Sequence, residues 1–269
     1  MLSNRDSKTS FLARVLFTTQ LHSSLSSPLE SFEPFHTSMP GTPAPVWGNG
    51  RKVFKCVDLH CGGEPARVLV SGAPSIPGNS MMEKRKFFMD NLDNIRQVLL
   101  TEPRGYPCQN LNILVPPTCP DADIGYIIAE QNFIYPLFSG HNTICVATAV
   151  LETGLVAMQE PQTRIKLEAP GGIIDITAKC CNGRVVEVSM TAMPSFLGKK
   201  DVVVNVPTVG NVMVDIAFGG MWYVIVKAAQ LGLEIKPENG KKLASIGEMI
   251  KVCDCNLLSL LMLCVGICP

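Results

Sequence analysis

The pattern of hydrophobic and polar positions divides the chain into three stretches. Residues 1–47 show no sustained periodicity and are rich in serine and, toward their end, proline, which is typical of a disordered or targeting extension. From residue 51 to residue 252, short apolar runs alternate with turns that contain glycine or proline, and this pattern predicts a β-rich body. Residues 256–269 differ again, because they form an almost unbroken apolar run.

The body is predicted to contain mostly strands, with a few helices between them. The predicted strands are residues 53–59, 66–70, 111–115, 124–129, 165–169, 173–178, 184–191, 201–206, 210–217 and 223–226. The predicted helices are residues 80–100, 142–153, 228–233 and 241–252. The pair Asn182-Gly183 separates two of the strands and is a strong signal for a tight hairpin.

The predicted helix at 142–153 is apolar almost all round, so it must be enclosed by protein. Cys145, in its middle, is therefore expected to be a core residue. Gly154 follows as a natural residue beyond a helix C-terminus. A strand-rich shell around one central helix is the simplest arrangement that buries such a surface.

Composition narrows the classes of function. The chain has 269 residues, enough for two modest domains, with 46% apolar residues, 17% charged residues and a net charge of zero. No long basic stretch occurs, so nucleic acid and anionic membrane surfaces are poor partners. The apolar run at 256–269 is too short to span a membrane as a helix, so no membrane partner is predicted.

Eleven cysteines are present, but none of them forms a C-x-x-C pair. Arg14 interrupts the apolar run at 11–17, so the pattern of a secretory signal peptide is missing, and mostly buried thiols in a reducing compartment are predicted. The group Cys56, His60 and Cys61 fits no closed zinc site. Since no phosphate loop or dinucleotide fingerprint occurs either, neither a metal nor a cofactor is predicted.

The stretch Ser139-Gly140-His141, just before the central helix, is the first candidate for chemistry. Ser139 is expected at the N-cap, where serine is a preferred residue. In the alternative interpretation its hydroxyl lies in a catalytic pocket, beside free backbone N–H groups that hold a substrate carboxylate. His141 is either a hydrogen-bonded structural histidine or a residue whose backbone N–H matters more than its ring. No G-x-S-x-G elbow is present, so hydrolase chemistry is not indicated.

Several short motifs occur together between residues 53 and 252. They are His60-Cys61-Gly62-Gly63-Glu64-Pro65, Glu102-Pro103-Arg104-Gly105, Ser139-Gly140-His141, Glu152-Thr153-Gly154 and Asp215-Ile216-Ala217-Phe218-Gly219-Gly220. In this order they resemble the proline racemase family, which includes proline racemases, hydroxyproline epimerases and trans-3-hydroxy-L-proline dehydratases. Each motif alone is weak, but together they are highly specific.

The resemblance implies an α+β fold like that of diaminopimelate epimerase. In that fold each of two domains is a β-barrel-like shell around a central helix, and the substrate lies in the cleft at the N-termini of the two helices. Residues 48–190 are then the first domain, with the central helix at 142–153. Residues 191–269 are an incomplete second domain that ends in the aberrant hydrophobic tail 256–269.

The resemblance also implies a cofactor-independent reaction at the Cα–H bond of a small imino acid. Racemases of the family use two cysteines, whereas Ser139 stands at the first of these positions. This difference favours a dehydratase, which converts trans-3-hydroxy-L-proline to 1-pyrroline-2-carboxylate after a single proton abstraction. Ser139 is then the catalytic acid/base candidate, and Gly140 and His141 bind the substrate carboxylate through their backbone N–H groups. A proline racemase or hydroxyproline epimerase is the alternative.

The tail bears on whether the chain is active. The family's later motif, Asp-Arg-Ser-Pro followed by Cys or Thr, has no match here. A truncated family member with impaired activity is therefore expected. An inactive fragment with only an interaction role is a further alternative. The tail itself is interpreted as a buried terminal helix or as out-of-frame sequence. A homodimer is a possibility that only the family resemblance implies. A cytoplasmic location is predicted, with a mitochondrial one as the alternative because Arg5, Lys8 and Arg14 are interleaved with apolar residues.

Overall fold

In the computed structural model of the chain, the residues described are 9–11, 13–15, 53–191, 193–254 and 263–268. They fall into two compact units, Met1–Ala192 and Met193–Pro269. Most of the extension predicted at residues 1–47 lies outside the described residues, and so do residues 255–262 of the apolar tail. The stretch Ser139-Gly140-His141 belongs to the first unit.

The first unit is built on a nine-stranded sheet. Its strands are β1 (Thr9–Phe11), β2 (Ala13–Val15), β3 (Lys55–Cys61), β4 (Glu64–Ser71), β5 (Leu111–Val115), β6 (Ile124–Ala129), β7 (Gln162–Ala169), β8 (Gly172–Cys181) and β9 (Arg184–Met190). Their order across the sheet is β1-β9-β8-β7-β6-β5-β4-β3-β2. The pairs β4–β5 and β6–β7 are parallel, and a parallel pair requires a crossover connection.

The two crossovers carry the helices of this unit. Helices α1 (Met81–Asn91) and α2 (Asp93–Leu100) connect β4 to β5, and helix α3 (Gly140–Glu152) connects β6 to β7. The side chains of α1 and α2 belong to one hydrophobic cluster and those of α3 to another. The helices therefore cover opposite faces of the sheet.

Strands β5 and β6 show no alternation of polar and apolar residues because both of their faces are buried. On β5, Ile113 belongs to the cluster of α1 and α2, whereas the next residue, Leu114, belongs to the cluster of α3. The same switch occurs on β6 between Ile127 and Ile128. The predicted bounds of both strands are confirmed.

Helix α3 is enclosed by the sheet, as its apolar surface predicted. Residues 142–151 of this helix are all buried. It contacts β3 and β4 at one side of the sheet and β7, β8 and β9 at the other, so the sheet curls around it. Gly154 lies just beyond the helix at φ +74°, in the left-handed conformation expected there.

The prediction of one helix at residues 80–100 is wrong, because α1 and α2 are separate. Leu92 leaves the helical conformation, with φ −127° and ψ 12°. Asp93 then begins α2, and its carboxylate accepts hydrogen bonds from Arg96 at 2.6 Å and from the Tyr135 hydroxyl at 2.7 Å. These bonds fix a new helix start that the periodicity alone did not indicate.

The hairpin predicted at Asn182-Gly183 is confirmed. These two residues connect β8 to β9 and have φ values of 54° and 71°, the left-handed pair that a two-residue turn of this kind requires.

The first two β-strands of the chain were not predicted. Strand β1 pairs with β9, and β2 pairs with β3, both antiparallel. The remainder of the proposed mitochondrial presequence lies outside the described residues.

The second unit is a four-stranded sheet with one α-helix among its described residues. Its elements are β10 (Phe196–Val206), β11 (Gly210–Phe218), β12 (Trp222–Lys227), α4 (Gly240–Asp254) and β13 (Leu263–Cys268). Ile250 of α4 packs on a cluster of strand valines. The helix predicted at 228–233 is shorter than expected, a 3-10 turn at Ala228–Leu231, because Gly232 takes φ +61° and ends it.

Strand β13 occupies part of the aberrant tail. Residues 263–268 pair in parallel with β12, so they form a strand and not the terminal helix considered from the sequence. A strand at this position supplies partners to the backbone N–H and C=O groups along one edge of β12. Within the described residues, none of the helices combines the length and the apolar character that crossing a membrane requires.

Eight of the described cysteines are free thiols, and their burial is mixed. Cys61, Cys145 and Cys180 are buried, as predicted, whereas Cys108 and Cys181 are exposed. Cys108 lies in a loop, and Cys181 ends a strand whose alternate residues face solvent. Since three of these eight thiols are buried, three are half-buried and two are exposed, the prediction that most thiols are buried is wrong.

Candidate active site

Ser139 occupies the N-cap of α3, with φ −148° and ψ 126°, but its side chain makes no capping hydrogen bond. The first backbone N–H groups of a helix have no partner inside the helix. Within the described part of the chain, the N–H groups of Gly140, His141 and Asn142 have no acceptor. The predicted position of Ser139 is thus confirmed, while the hydrogen bond expected of an N-cap serine is missing.

The hydroxyl of Ser139 is directed to two side chains of the following turn. Nδ2 of Asn142 donates a hydrogen bond to Oγ of Ser139 at 3.1 Å. Nδ1 of His141 lies 3.4 Å from the same oxygen. The hydroxyl is therefore held beside the unpaired N–H groups instead of bonding to one of them.

Asn112 on β5 fixes the orientation of Asn142. Nδ2 of Asn112 donates to Oδ1 of Asn142 at 2.7 Å, and both side chains are completely buried. Because that oxygen accepts from Asn112, the other end of the Asn142 amide must be the NH2 group that faces Ser139. Oδ1 of Asn112 has no partner among the described residues.

The backbone of Ser139 is anchored from the core. Oγ1 of Thr143 donates to the carbonyl oxygen of Ser139 at 2.7 Å, and the hydroxyl of Tyr126 lies 2.6 Å from the same Oγ1. Since the Thr143 proton is used, Tyr126 is the donor of the second bond. Both residues are fully buried, so the N-cap is fixed against β6.

The ring of His141 connects this helix end with the start of β4. Its Nε2 lies 3.3 Å from the carbonyl oxygen of Pro65 and 3.5 Å from Nδ2 of Asn110. Asn110 in turn donates to Glu64 at 3.4 Å. Residues of the motif at 60–65 and of the loop before β5 therefore meet at the N-terminus of α3.

Burial lowers the pKa of His141, an effect opposed by the hydrogen bond with Pro65 and by the negative charge of Glu64. The ring is therefore neutral near pH 7. Burial raises the pKa of Cys145 to about 12, and Cys145 is completely buried. Its thiol stays protonated and cannot serve as the base, in agreement with its predicted place in the core.

Residues of two further motifs make structural contacts, each within its own unit. Arg67 donates two hydrogen bonds to Asp58, at 2.7 and 2.8 Å, and one to the carbonyl oxygen of Arg104 at 2.6 Å. Arg104 belongs to the motif at 102–105, which this contact ties to β4. In the second unit, Asp215 accepts from the N–H of Asp201 at 2.9 Å and so links β10 to β11.

Sequence reasoning assigned no role to the side chains of Asn112, Asn142 and Thr143. A signal existed for Asn112, because it interrupts the apolar strand LNILV, and a buried amide requires hydrogen-bond partners. Among the described residues, no group of three or more His, Cys, Asp or Glu side chains is arranged to hold a metal ion.

The sequence profile of the family described as proline racemase matches residues 56–254. The chain belongs to the proline racemase family. It is 41% identical over 198 residues to a proline racemase of Clostridioides difficile, across 74% of this chain and 59% of the relative. It is 39% identical over 203 residues to a 4-hydroxyproline 2-epimerase of Agrobacterium fabrum, across 75% of this chain and 59% of the relative.

A solved structure of the proline racemase family has the same fold. The crystal structure of a hydroxyproline epimerase from Agrobacterium vitis, with bound trans-4-hydroxy-L-proline, matches with a TM-score of 0.70 and 34% identity, over 76% of this chain and 60% of that one. The predicted α+β fold of the family is thereby confirmed. The chain spans about three fifths of the length of the relatives it matches.

The named relatives in the proline racemase family are a racemase and epimerases. These names support the racemase or epimerase alternative better than the dehydratase expected from the sequence. The roles assigned to Ser139, Gly140 and His141 stay predictions, although the geometry brings all three to one end of α3.

Proposed function

We propose that this chain contributes one half of a site that removes and returns the Cα proton of a proline-type imino acid, in a racemisation or epimerisation. The observation that carries this proposal is the N-terminus of α3, where the Ser139 hydroxyl forms no cap and lies beside backbone N–H groups without partners in the described chain. The names of the relatives, a proline racemase and a 4-hydroxyproline 2-epimerase, support the same class of reaction.

The N-terminus of α3 suits the substrate carboxylate. Its free N–H groups point out of the end of the helix, and the helix dipole adds partial positive charge. The first turn carries no acidic residue that would compete for this place. When Cα loses its proton, negative charge spreads onto the carboxylate, so the N–H groups of Gly140 and His141 bind the deprotonated species more strongly and lower the barrier.

Ser139 is the proposed acid/base group on one face of the substrate. A serine hydroxyl alone is a weak base. The Ser139 hydroxyl, however, lies next to a neutral histidine ring and accepts a hydrogen bond from Asn142, which holds it in one orientation. A hydroxyl beside the N–H groups that are proposed to bind the carboxylate would be within reach of the adjoining Cα, which supports this role.

A second reaction is favoured by the serine itself. The family resemblance places Ser139 where racemases carry the first of two cysteines, so a matched pair of thiols is not available. Dehydration of trans-3-hydroxy-L-proline needs only one proton abstraction, after which the 3-hydroxyl leaves as water and the enamine tautomerises to 1-pyrroline-2-carboxylate. A hydroxyl that exchanges its proton is suited to protonate that leaving group.

Hydrogen exchange at Cα tests both reactions. The chain is incubated in deuterated water with L-proline, trans-4-hydroxy-L-proline or trans-3-hydroxy-L-proline, and loss of the Cα proton signal is followed by NMR. Chiral chromatography detects the D-configured epimer, and an imine assay detects 1-pyrroline-2-carboxylate. Exchange with an epimer supports the first reaction, and imine without epimer supports the second.

Absence of both reactions would contradict the proposal. If none of the three imino acids exchanges its Cα proton or forms imine, the proposed function is wrong for this chain. A Ser80→Ala variant serves as the matched control, because it alters another N-cap serine far along the chain from Ser139 and leaves the hydrogen bonds of α3 intact.

A further inference from the structure

We propose that the carboxylate of Glu64 and the side-chain oxygen of Asn110 bind the ring nitrogen of the imino acid, which is a secondary ammonium group at neutral pH. This inference deepens the proposed function, in which the N-terminus of α3 binds the carboxylate of the same ligand, and it rests on that function. The sequence assigned no binding role to either side chain.

Glu64 and Asn110 are neighbours on the side of the sheet that faces α3. Ala66 of β4 belongs to the hydrophobic cluster of α3, so Glu64, two positions earlier on this strand, faces the same way. The N–H of Arg67 donates to the carbonyl oxygen of Asn110 at 2.7 Å, which places Asn110 beside β4. Nδ2 of Asn110 lies 3.4 Å from Oε1 of Glu64 and 3.5 Å from Nε2 of His141. Both side chains therefore lie at the N-terminus of α3.

The amide of Asn110 has a free oxygen. Its Nδ2 lies near two acceptors, Oε1 of Glu64 and, at 3.5 Å, the carbonyl oxygen of Pro65, so this end of the amide must be the NH2 group. The other end, Oδ1, has no donor among the described residues, although the side chain is only 8% exposed. The unpaired side-chain atoms that are sealed from solvent in this part of the chain are oxygens of Gln109 and Asn112. Oδ1 of Asn110 is thus open to a donor from a ligand.

Glu64 carries a negative charge without a counter-ion. It is exposed, and it forms no ion pair within the described chain. The nearby acidic residue is Glu130, which follows β6 at the end of the sheet where Asn110 precedes β5. Burial, and then the charge of Glu64, raise the pKa of Glu130 to about 7. Below pH 7 Glu130 is mostly protonated, so Glu64 is the main negative charge that a cation would neutralise.

The two ends of this site match the two charges of an imino acid. Free N–H groups and the helix dipole favour a carboxylate at α3, whereas Glu64 favours a cation beside it. In an imino acid both charged groups are attached to the same Cα, so their binding groups must be adjacent, as the contact of Asn110 with His141 makes them. A secondary ammonium group has two N–H bonds, and Glu64 and Asn110 supply one acceptor for each. Two such bonds fix the orientation of Cα.

Two ligands with the same ring size test this recognition without any turnover. In cyclopentanecarboxylate a CH2 group replaces the ring nitrogen of L-proline, while the carboxylate for α3 is kept. By calorimetric titration, we expect the chain to bind L-proline at least about 10-fold more tightly, because a hydrogen bond to a charged group contributes that much. Equal affinities, or binding of neither ligand, would overturn the proposal. Preferential binding of L-proline without Cα exchange would support the nitrogen site and contradict only the proposed proton transfer.

Two substitutions assign the preference to the proposed side chains. Glu64→Gln keeps the shape and removes the charge, so affinity for L-proline should fall by about 10-fold or more. Asn110→Leu keeps the volume and removes the free oxygen, so affinity for L-proline should fall by roughly 2- to 10-fold. Neither variant should bind cyclopentanecarboxylate more weakly. An equal loss for both ligands would show that these side chains only support the helix end, and would overturn the proposal.

Glu160→Gln is the matched control for the loss of charge. Glu160 is also an exposed glutamate of this unit, but it accepts from the N–H of Gly183, in the hairpin between β8 and β9, at 2.6 Å. This variant should bind both ligands as the wild type does, and circular dichroism verifies that all three variants are folded. A loss of L-proline affinity in Glu160→Gln as large as that in Glu64→Gln would show that net charge, and not the position of Glu64, determines binding, and would contradict the proposal.

Discussion

Ser80 and Ser139 are N-cap residues of two helices in the same unit, and they use the same side chain differently. Both have extended backbones, with φ and ψ of −139° and 157° at Ser80 and −148° and 126° at Ser139. Ser80 accepts a hydrogen bond from the N–H of Glu83 at 3.2 Å, and Glu83 accepts from the N–H of Asn79 at 2.8 Å. At Ser139 no such bond forms, and the hydroxyl faces Asn142 and His141.

The difference lies in the residues that follow each serine. A glutamate three positions after Ser80 gives an arrangement like a capping box, in which the two side chains accept from the N–H groups of Glu83 and Asn79. Three positions after Ser139 stands Asn142, whose amide donates to the hydroxyl and so turns it away from the backbone. At α1 one of the first N–H groups, that of Glu83, is paired with the N-cap side chain, whereas at α3 none of the first three is paired within the described chain, which suits an anion.

Ser139→Ala should have the largest effect and should fall on catalysis. We expect Cα exchange to fall by about 10²- to 10⁴-fold, because a positioned acid/base group contributes this much. Binding of the imino acid should change little, because the backbone N–H groups of α3 are retained. Calorimetric titration together with NMR exchange rates measures the two effects separately, and an equal loss of both would contradict the assigned role.

Glu130 makes the free energy of unfolding depend on pH. Burial, and then the charge of Glu64, raise its pKa from 4.5 to about 7. The folded state therefore holds this proton more tightly, so the stabilisation is complete below pH 4.5 and is lost as the pH rises toward 7. The loss is at most about 3 kcal/mol.

Glu130→Gln tests this explanation. The substitution keeps the shape of a neutral carboxyl group, so the free energy of unfolding measured with urea should no longer fall between pH 5 and pH 8. Cα exchange at the N-terminus of α3 should be unchanged in this variant at a pH where both proteins are folded. Slower exchange in Glu130→Gln under those conditions would show that Glu130 acts on the site and not only on stability.

Asn112→Ala should remove the hydrogen bond that orients the side chain of Asn142 at the N-terminus of α3. It leaves Oδ1 of Asn142 without its buried donor and costs about 1–3 kcal/mol, while the unpaired oxygen of Asn112 disappears with the side chain. The Asn142 amide is then free to rotate away from Ser139. We expect lower stability in urea and slower Cα exchange, and stability loss with unchanged exchange would contradict the orienting role of Asn142.

Ser80→Ala should have the smallest effect, and it should fall on stability alone. Loss of a working N-cap costs about 1 kcal/mol. The free energy of unfolding should therefore decrease by this amount while Cα exchange stays at the wild-type rate. Slower exchange in this variant, at a temperature where it is folded, would remove the contrast between the two serines.

Much of the fold could be predicted because local patterns determine it. β5 and β6 lie between proline- and glycine-containing turns, and α3 is apolar on every side, so their positions were recognisable. The N-cap position of Ser139 also follows from its place before α3. The break at Leu92 was missed because it depends on the contact of Asp93 with Tyr135, 42 residues away in the sequence.

The interactions of the candidate site were not predictable in the same way. The ring of His141 meets the carbonyl oxygen of Pro65, which is 76 residues away in the sequence, and Asn112 meets Asn142 across 30 residues. These contacts exist only once the sheet has curled around α3. The family resemblance drew attention to Ser139, but the use of its hydroxyl follows only from the hydrogen bonds.

The most direct test of the account compares Ser139→Ala with Ser80→Ala in deuterated water with trans-4-hydroxy-L-proline. Both variants remove one N-cap hydroxyl, and circular dichroism verifies that both are folded under the conditions of the assay. The account predicts that Cα exchange persists in Ser80→Ala and falls by at least about 10²-fold in Ser139→Ala. Equal exchange rates in the two variants would contradict the claim that the Ser139 hydroxyl is held for proton transfer.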